Sequence, residues 1–254
     1  MNIADVQGVI FDVDDTILNN RVGDDGRNIH EMSRHQDVME LAQKYNISEL
    51  KELSIEDDLV AFNTALTHTS DGAIWNLFYM KGLVPSKEVD YTHLWLQEAS
   101  RRKHEIHEII LRQKGVPIEG AVEFIASLRA HGLEGRLALA TTGIRRDIDI
   151  FLSLAGLDDV FSDDKIKTRE SVVHTKPHPE VFHKAFDSLG LSRDARRFVL
   201  AFEDDPRGIA SARKAGLFVC AITTRYDKTQ LASLVTPPHY IADGYNEFAQ
   251  FLGM

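Results

Sequence analysis

Residues 8–16, GVIFDVDDT, join a short β-branched and aromatic run to three acids. The run 8–13 predicts a buried strand, and that strand stops in Asp14 and Asp15. Because side-chain direction alternates along a strand, Asp12 and Asp14 point to the same side. A carboxylate at Asp12 can act as a nucleophile toward phosphorus, and one at Asp14 can serve as general acid and then base. A solvated acidic turn is the simpler interpretation of this motif alone.

The pattern after this segment changes twice. From about 27 to 114 it is helical, with helices predicted over 28–45, 55–66, 71–81 and 91–113. From 116 onward helices, predicted at 119–130, 144–154, 178–189 and 206–215, alternate with strands, predicted at 136–141, 198–202, 217–222 and 239–242. Such alternation predicts right-handed βαβ units and a parallel sheet. We therefore expect an α/β core made of 1–19 and 116–254, and an all-helical insertion at 20–115.

Polar residues follow two further predicted strands and one loop. Thr141, Thr142 and Gly143 lie between a strand and a helix, where hydroxyls and free backbone N–H groups can bind an anion. The acids 203–205 end another strand, and hard cations such as Mg²⁺ prefer such oxygen ligands. Lys176 lies between His174 and His178, and Pro177 and Pro179 follow it before a predicted helix. Ligands of open α/β sheets bind beyond the carboxyl ends of the strands, so these groups predict one site.

The charge balance excludes some classes of partner. Lys and Arg number 29 against 39 Asp and Glu, which gives a net charge of −10. Nucleic-acid and anionic-membrane binders usually present a basic face, so neither partner is expected. A phosphate ester bound to so acidic a chain needs a cation, for which Mg²⁺ is the simplest candidate. The single cysteine and the acidic first 15 residues, unlike a signal peptide, lead us to expect a cytoplasmic protein.

Four segments taken in order resemble the haloacid dehalogenase-like (HAD) hydrolase superfamily: FDVDDT, LALATT, KPHPEVF and FEDDPRGIASARKAG. They span nearly all of the predicted core and none of the insertion. An insertion just after the first strand resembles the helical cap of the β-phosphoglucomutase and phosphatase-like branch. The resemblance implies a Rossmann-like parallel sheet core with an inserted all-helical cap domain. Where many members carry Ser, this sequence has Asp205.

The resemblance also implies roles for the matched residues. Asp12 attacks phosphorus and forms an aspartyl-phosphate, and Asp14 protonates the leaving alcohol and then activates water. Thr141 and Lys176 hold the phosphoryl oxygens, with Thr142 and Gly143 beside them. Mg²⁺ is held by the Asp12 carboxylate, the Asp14 backbone carbonyl and Asp204. Either Glu203, directly or through water, or Asp205 assists at the metal.

These roles predict a Mg²⁺-dependent phosphatase acting on a small phosphorylated metabolite. A sugar phosphomutase of the β-phosphoglucomutase type uses the same core and remains an alternative. The segment TTGIRRD is similar to the TTGYTR stretch of phosphonoacetaldehyde hydrolases, but those carry Ala at the position of Asp14. A non-catalytic binding protein is less favoured, because a pure binder has no need of an acid/base residue.

Substrate choice is expected to lie in the insertion, where no motif identifies the residues. Arg27 is a candidate to bind a substrate anion. The polar loop 67–72 either reads substrate hydroxyls or caps the helix from residue 71, with Ser70 as the cap. We expect Arg101, Arg102 and Lys103, and likewise His104 and His107, on a solvated helix face.

Overall fold

The computed structural model describes residues 2–23, 26–67 and 69–254. By its internal contacts the chain divides into two compact units. One unit is Met1–Asn19 with Gly115–Met254, called here the core unit, and the other is Asn20–Lys114, called the helical unit. None of the helices in the described part of the chain combines the length and apolar content needed to cross a bilayer.

The core unit is built on a six-stranded parallel sheet in the order β5-β4-β1-β6-β7-β8. Its strands are β1 (Gly8–Phe11), β4 (Leu137–Ala140), β5 (Ile166–Lys167), β6 (Val199–Glu203), β7 (Phe218–Ile222) and β8 (Tyr240–Ala242). Every residue of β1, β4 and β6 is buried, as expected of a sheet covered on both faces. The predicted α/β fold with a parallel sheet is confirmed.

The helices of the core unit alternate with these strands. They are α5 (Ala121–Leu128), α6 (Arg145–Ala155), α7 (Glu180–Ser188), α8 (Pro206–Lys214), α9 (Lys228–Ala232) and α10 (Tyr245–Leu252). Aromatic contacts join the sheet to α5 and α10, because the ring centroid of Phe202 in β6 lies 5.4 Å from that of Phe124 and 4.7 Å from that of Phe248. This packing fixes the strand ends on which the site depends.

Several short elements of the core unit were not predicted. The strands β2 (Leu18–Asn19) and β3 (Val116–Pro117) pair antiparallel at the two points where the chain leaves and re-enters the core unit. The helix predicted over 178–189 begins at Glu180 instead, because the N–H of His178 closes a turn onto the carbonyl of Thr175 (3.0 Å). The helix predicted over 119–130 ends at Leu128 and continues as one irregular turn.

Helices are the main regular elements of the helical unit across its described residues. They are α1 (Ile29–Lys44), α2 (Ile55–Thr64), α3 (Ser70–Met80) and α4 (Leu94–Lys114). Ser54 caps α2 through a capping box with Asp57. The prediction of Ser70 as the cap of α3 is wrong: the hydroxyl of Thr69 accepts the bond from the N–H of Gly72 (3.0 Å). His68 of the polar loop 67–72 lies outside the described residues.

The inner face of α4 is more polar than predicted. Lys103 and His107 are 3% and 2% exposed, so the prediction of a solvated face is wrong for both. Nζ of Lys103 lies 3.3 Å from Nδ1 of His30, and the rings of His30 and His107 stack with centroids 4.4 Å apart. Lys103 is buried because it lies four residues after the buried Ala99 and three before the buried Ile106, which places it on the same face of the helix.

A second polar group lies inside the helical unit on α1. Arg34 and Asp58 form a buried two-pronged ion pair, with N–O distances of 3.1 and 2.7 Å. Asp37 is fully buried, and Nε of Arg102 lies 4.0 Å from its Oδ1. Neither carboxylate oxygen of Asp37 has a hydrogen-bond partner among the described residues. Burial raises the pKa of Asp37 to about 8, against the opposing charge of Arg102.

Candidate active site

Three neighbouring strands of the core unit end at one edge of the sheet. Register pairs β1 with β4 on one side and with β6 on the other. Asp12 follows β1, Thr141 follows β4, Glu203 ends β6 and Asp204 follows it. The N–H of Asp12 donates to the carbonyl of Phe202 (3.0 Å), which ties the end of β1 to that of β6. The parallel sheet therefore brings together residues that are up to 192 positions apart in the chain.

Three buried carboxylates meet at this edge. One oxygen from each of Asp12, Glu203 and Asp204 lies within 4.8 Å of the others. Asp12 is 6% exposed, Glu203 1% and Asp204 2%. Burial raises the pKa of each carboxyl above its ordinary value, to about 8 for Glu203. Such a cluster needs compensating positive charge to stay ionised.

Lys176 supplies part of that charge. Its Nζ donates to Oδ1 of Asp12 (2.5 Å) and to Oε1 of Glu203 (2.6 Å), and its side chain is 8% exposed. Burial lowers the pKa of Lys176, but the two carboxylates outweigh it and hold the pKa above its ordinary value. One ammonium thus faces three buried acids.

Asp204 is the least compensated acid of the three. Its Oδ1 accepts from the hydroxyl of Thr16 at 3.4 Å, near the limit of a hydrogen bond. Its Oδ2 is buried and has no hydrogen-bond partner in the described part of the chain. Nη1 of Arg225 lies 3.7 Å from that oxygen, which is an ion pair without a hydrogen bond. No sequence motif identifies Arg225, which lies in the loop after β7.

The neighbouring acid Asp205 is engaged elsewhere. It caps α8 by accepting from the N–H of Arg207 (2.8 Å), and it pairs with Arg225 at 3.1 Å. Burial alone would raise its pKa, but Arg207 and Arg225 lower it. Of the two residues that sequence left open as a helper of Asp204, the structure brings Glu203 into the cluster and directs Asp205 to helix capping.

Gly208 makes room for the Glu203 side chain. A Cβ built on Gly208 would lie 1.9–2.1 Å from Oε1, Cδ and Oε2 of Glu203. No side chain fits at that distance, so α8 can approach β6 this closely only with glycine at 208. The other oxygen of Glu203, Oε2, accepts from the N–H of Asp204 (3.2 Å). The run FEDDPRG therefore supplies both the acids of the site and the glycine that leaves space for one of them.

The loop after β4 lies beside Asp14. The hydroxyl of Thr141, 1% exposed, accepts from the N–H of Gly143 (3.0 Å), and Thr142 is exposed. A Cβ on Gly143 would lie 3.7 Å from Oδ2 of Asp14, so the two segments adjoin. Asp14 is half-buried. Arg27, the remaining predicted site residue, belongs to the helical unit, and its role stays a prediction.

Fold and site define the class: a Rossmann-like α/β protein with an acid cluster and a lysine at the carboxyl edge of its sheet. A family model described as haloacid dehalogenase-like hydrolase matches residues 6–216. The chain belongs to this family.

Relatives and solved structures agree with that assignment. Protein CbbY of Rhodobacter capsulatus is 36% identical over 124 residues, which cover 48% of this chain and 52% of that protein. The validoxylamine A 7'-phosphate phosphatase of Streptomyces hygroscopicus subsp. limoneus is 30% identical over 117 residues, 46% of this chain and 52% of that protein. The matches thus span about half the length of these relatives. A HAD hydrolase of family IA, variant 3, from Entamoeba histolytica superposes with a TM-score of 0.73 at 20% identity, covering 94% of both chains.

Proposed function

We propose that this chain is a Mg²⁺-dependent phosphatase that hydrolyses a small phosphorylated metabolite through an aspartyl-phosphate. The observation that carries the proposal is the meeting of Asp12, Glu203 and Asp204 with Lys176 at the carboxyl edge of the sheet. A nucleophile, a cation site and a phosphate-binding ammonium in one place are the parts that phosphoryl transfer requires.

The residues present fit a divalent cation. Three buried carboxylates face one buried ammonium and the Arg225 guanidinium, which Asp204 shares with Asp205, so negative charge is left uncompensated. Asp204 Oδ2 has no hydrogen bond in the described residues. Oxygen ligands of this kind suit Mg²⁺ rather than softer metals. Asp12, the backbone carbonyl of Asp14 and Asp204 would hold the ion, with Glu203 as a direct or water-mediated helper. When bound, Mg²⁺ neutralises charge on the phosphoryl oxygens.

The covalent chemistry belongs to Asp12 and Asp14. A carboxylate oxygen of Asp12 attacks phosphorus while the bond from phosphorus to the ester oxygen breaks. Asp14, in its protonated form, gives its proton to the departing alkoxide. The resulting Asp14 carboxylate then takes a proton from water, whose oxygen attacks phosphorus. The bond to Asp12 breaks and inorganic phosphate leaves, so both aspartates return to their starting states.

The groups after β4 and before α7 hold the phosphoryl oxygens in this scheme. Thr141 contributes its hydroxyl, and Thr142 and Gly143 contribute polar atoms of the same loop. Lys176 contributes its ammonium, which Asp12 and Glu203 already position at 2.5 and 2.6 Å. One relative, the validoxylamine A 7'-phosphate phosphatase, supports phosphate-ester chemistry by its name, and the matched family model is one of hydrolases.

The direct test is hydrolysis of p-nitrophenyl phosphate with Mg²⁺ and with Mg²⁺ removed by EDTA. We expect turnover that needs Mg²⁺, at least a 10²-fold loss in Asp14→Asn, and loss of Mg²⁺ binding by calorimetry in Asp204→Asn. The matched control is Asp159→Asn, an exposed acid of the core unit, which should behave as wild type. Undiminished turnover in EDTA would contradict the cation requirement.

Substrate class and reaction outcome need a second experiment. Sugar phosphates, phosphoglycolate, nucleotides and cofactor phosphates are screened for release of inorganic phosphate. A hexose 1-phosphate is also incubated with a bisphosphate primer. Inorganic phosphate without isomerised sugar is the expected result. Isomerised sugar as the main product would replace the phosphatase by a phosphomutase.

A further inference from the structure

A second group of metal-ligating side chains lies on the turn that carries Lys176, in the sequence His174-Thr175-Lys176-Pro177-His178-Pro179-Glu180. One ring nitrogen from each of His174 and His178 and one carboxylate oxygen of Glu180 lie within 4.8 Å of one another. The two rings face each other at a tilt, with centroids 4.6 Å apart. Both histidines are exposed, so an ion can reach them from solvent.

The backbone under these side chains is held in place. The carboxylate of Glu180 accepts from the N–H groups of Val173 (3.1 Å) and His174 (3.0 Å), which closes the turn. The hydroxyl of Ser211 on α8 donates to the carbonyl of His178 (2.7 Å). A ligand set fixed in this way loses less conformational freedom on binding than one on a loose loop.

The donor set differs in kind from the acid cluster. Two imidazoles and one carboxylate suit Zn²⁺ and Cu²⁺, whereas Mg²⁺ prefers oxygen ligands alone. We propose that His174, His178 and Glu180 form a site for a divalent transition metal, Zn²⁺ in the first place. Lys176 lies on the same turn and contacts Asp12 and Glu203. The proposed ion would therefore be held by residues that precede and follow the active-site lysine in the sequence.

Calorimetry of the full chain with Zn²⁺, in excess Mg²⁺ to occupy the acid cluster, measures the site without reference to activity. We expect His174→Ala and His178→Ala each to weaken Zn²⁺ binding by about 10-fold or more, and the double variant to abolish it. His131→Ala removes an exposed histidine at the end of α5 and is the matched control, expected to bind as wild type. Wild-type affinity in the double variant, or no Zn²⁺ uptake by the wild type, would overturn the proposal.

Cu²⁺ used as a paramagnetic probe identifies the ligands. The electron paramagnetic resonance spectrum of one equivalent of Cu²⁺ should show coupling to two nitrogens, and the double variant should lose it. Asp204→Asn should leave both the Cu²⁺ spectrum and Zn²⁺ affinity unchanged. Loss of Zn²⁺ binding in Asp204→Asn would place the ion in the acid cluster and reject this site. The proposal that the chain is a phosphatase would still stand after that result.

Discussion

Replacing Gly208 by alanine tests the packing of the acid cluster. The added methyl would overlap the Glu203 carboxyl group at 1.9–2.1 Å, so that side chain must move. Glu203 is 1% exposed and is bound to Lys176 at 2.6 Å, so it has little room to do so. Overpacking costs about 1–3 kcal/mol, and loss of one charge-assisted hydrogen bond costs about 1.5–3 kcal/mol. The higher helix propensity of alanine returns up to about 1 kcal/mol. We expect Gly208→Ala to lower the free energy of unfolding by about 1.5–6 kcal/mol.

The assay is urea unfolding followed by far-ultraviolet circular dichroism. Gly244→Ala is the control for an added methyl, because a Cβ there meets nothing within 4 Å and the backbone is extended. It should change stability by less than about 1 kcal/mol. Glu203→Asp shortens the obstructing side chain. The double variant Gly208→Ala/Glu203→Asp should therefore be more stable than the two single effects predict, by about 0.5–3 kcal/mol. Strict additivity, or an unchanged Gly208→Ala, would refute the reasoning.

Two further substitutions test buried charges, one in each unit. Asp37→Asn should flatten the pH dependence of the free energy of unfolding of the helical unit. In the wild type the folded pKa of Asp37, about 8, exceeds the ordinary 3.8. The free energy of unfolding therefore falls as pH rises from about 4 to 8, by up to about 1.4 kcal/mol per pH unit. Tryptophan fluorescence reports this unit alone, because both tryptophans lie in it; parallel curves for variant and wild type would count against the buried acid. Lys176→Met should cost the core unit about 3–5 kcal/mol by leaving buried carboxylates unpaired, while Lys228→Met, which removes an ion pair with the exposed Asp243, should leave its stability almost unchanged. Equal urea midpoints for the two lysine variants would contradict the expected difference in stability.

The sequence predicted the strands that form long apolar runs and the site residues that belong to short motifs. The strands at 8–11, 137–140, 199–203 and 218–222 are apolar runs that end in polar residues, and the structure has each within two residues of its predicted bounds. The strands β2, β3 and β5 have two residues each, too few for any periodicity to register. The meeting of Asp12 with Glu203 was predictable because each follows or ends a strand, and the carboxyl ends of parallel strands share one edge of the sheet.

Tertiary placement explains what sequence reasoning missed. Arg225 belongs to no motif, yet the turn after β7 brings it to 3.7 Å from Asp204. Lys103 and His107 were assigned to a solvated face because their neighbours are charged, although their spacing from Ala99 and Ile106 puts them on the apolar face. Gly208 was part of a quoted motif, but its steric role depends on how closely α8 approaches Glu203.

The covalent role of Asp12 is the central claim, and rapid acid quench during turnover of p-nitrophenyl phosphate tests it most directly. Acid preserves an acyl phosphate long enough for peptide mass spectrometry. We predict a phosphoryl group on the peptide that contains Asp12 in the wild type, accumulation of that adduct when Asp14→Asn slows its hydrolysis, and no adduct or turnover in Asp12→Asn. Turnover by Asp12→Asn at the wild-type rate, or wild-type turnover with no phosphorylated Asp12 peptide, would contradict the account.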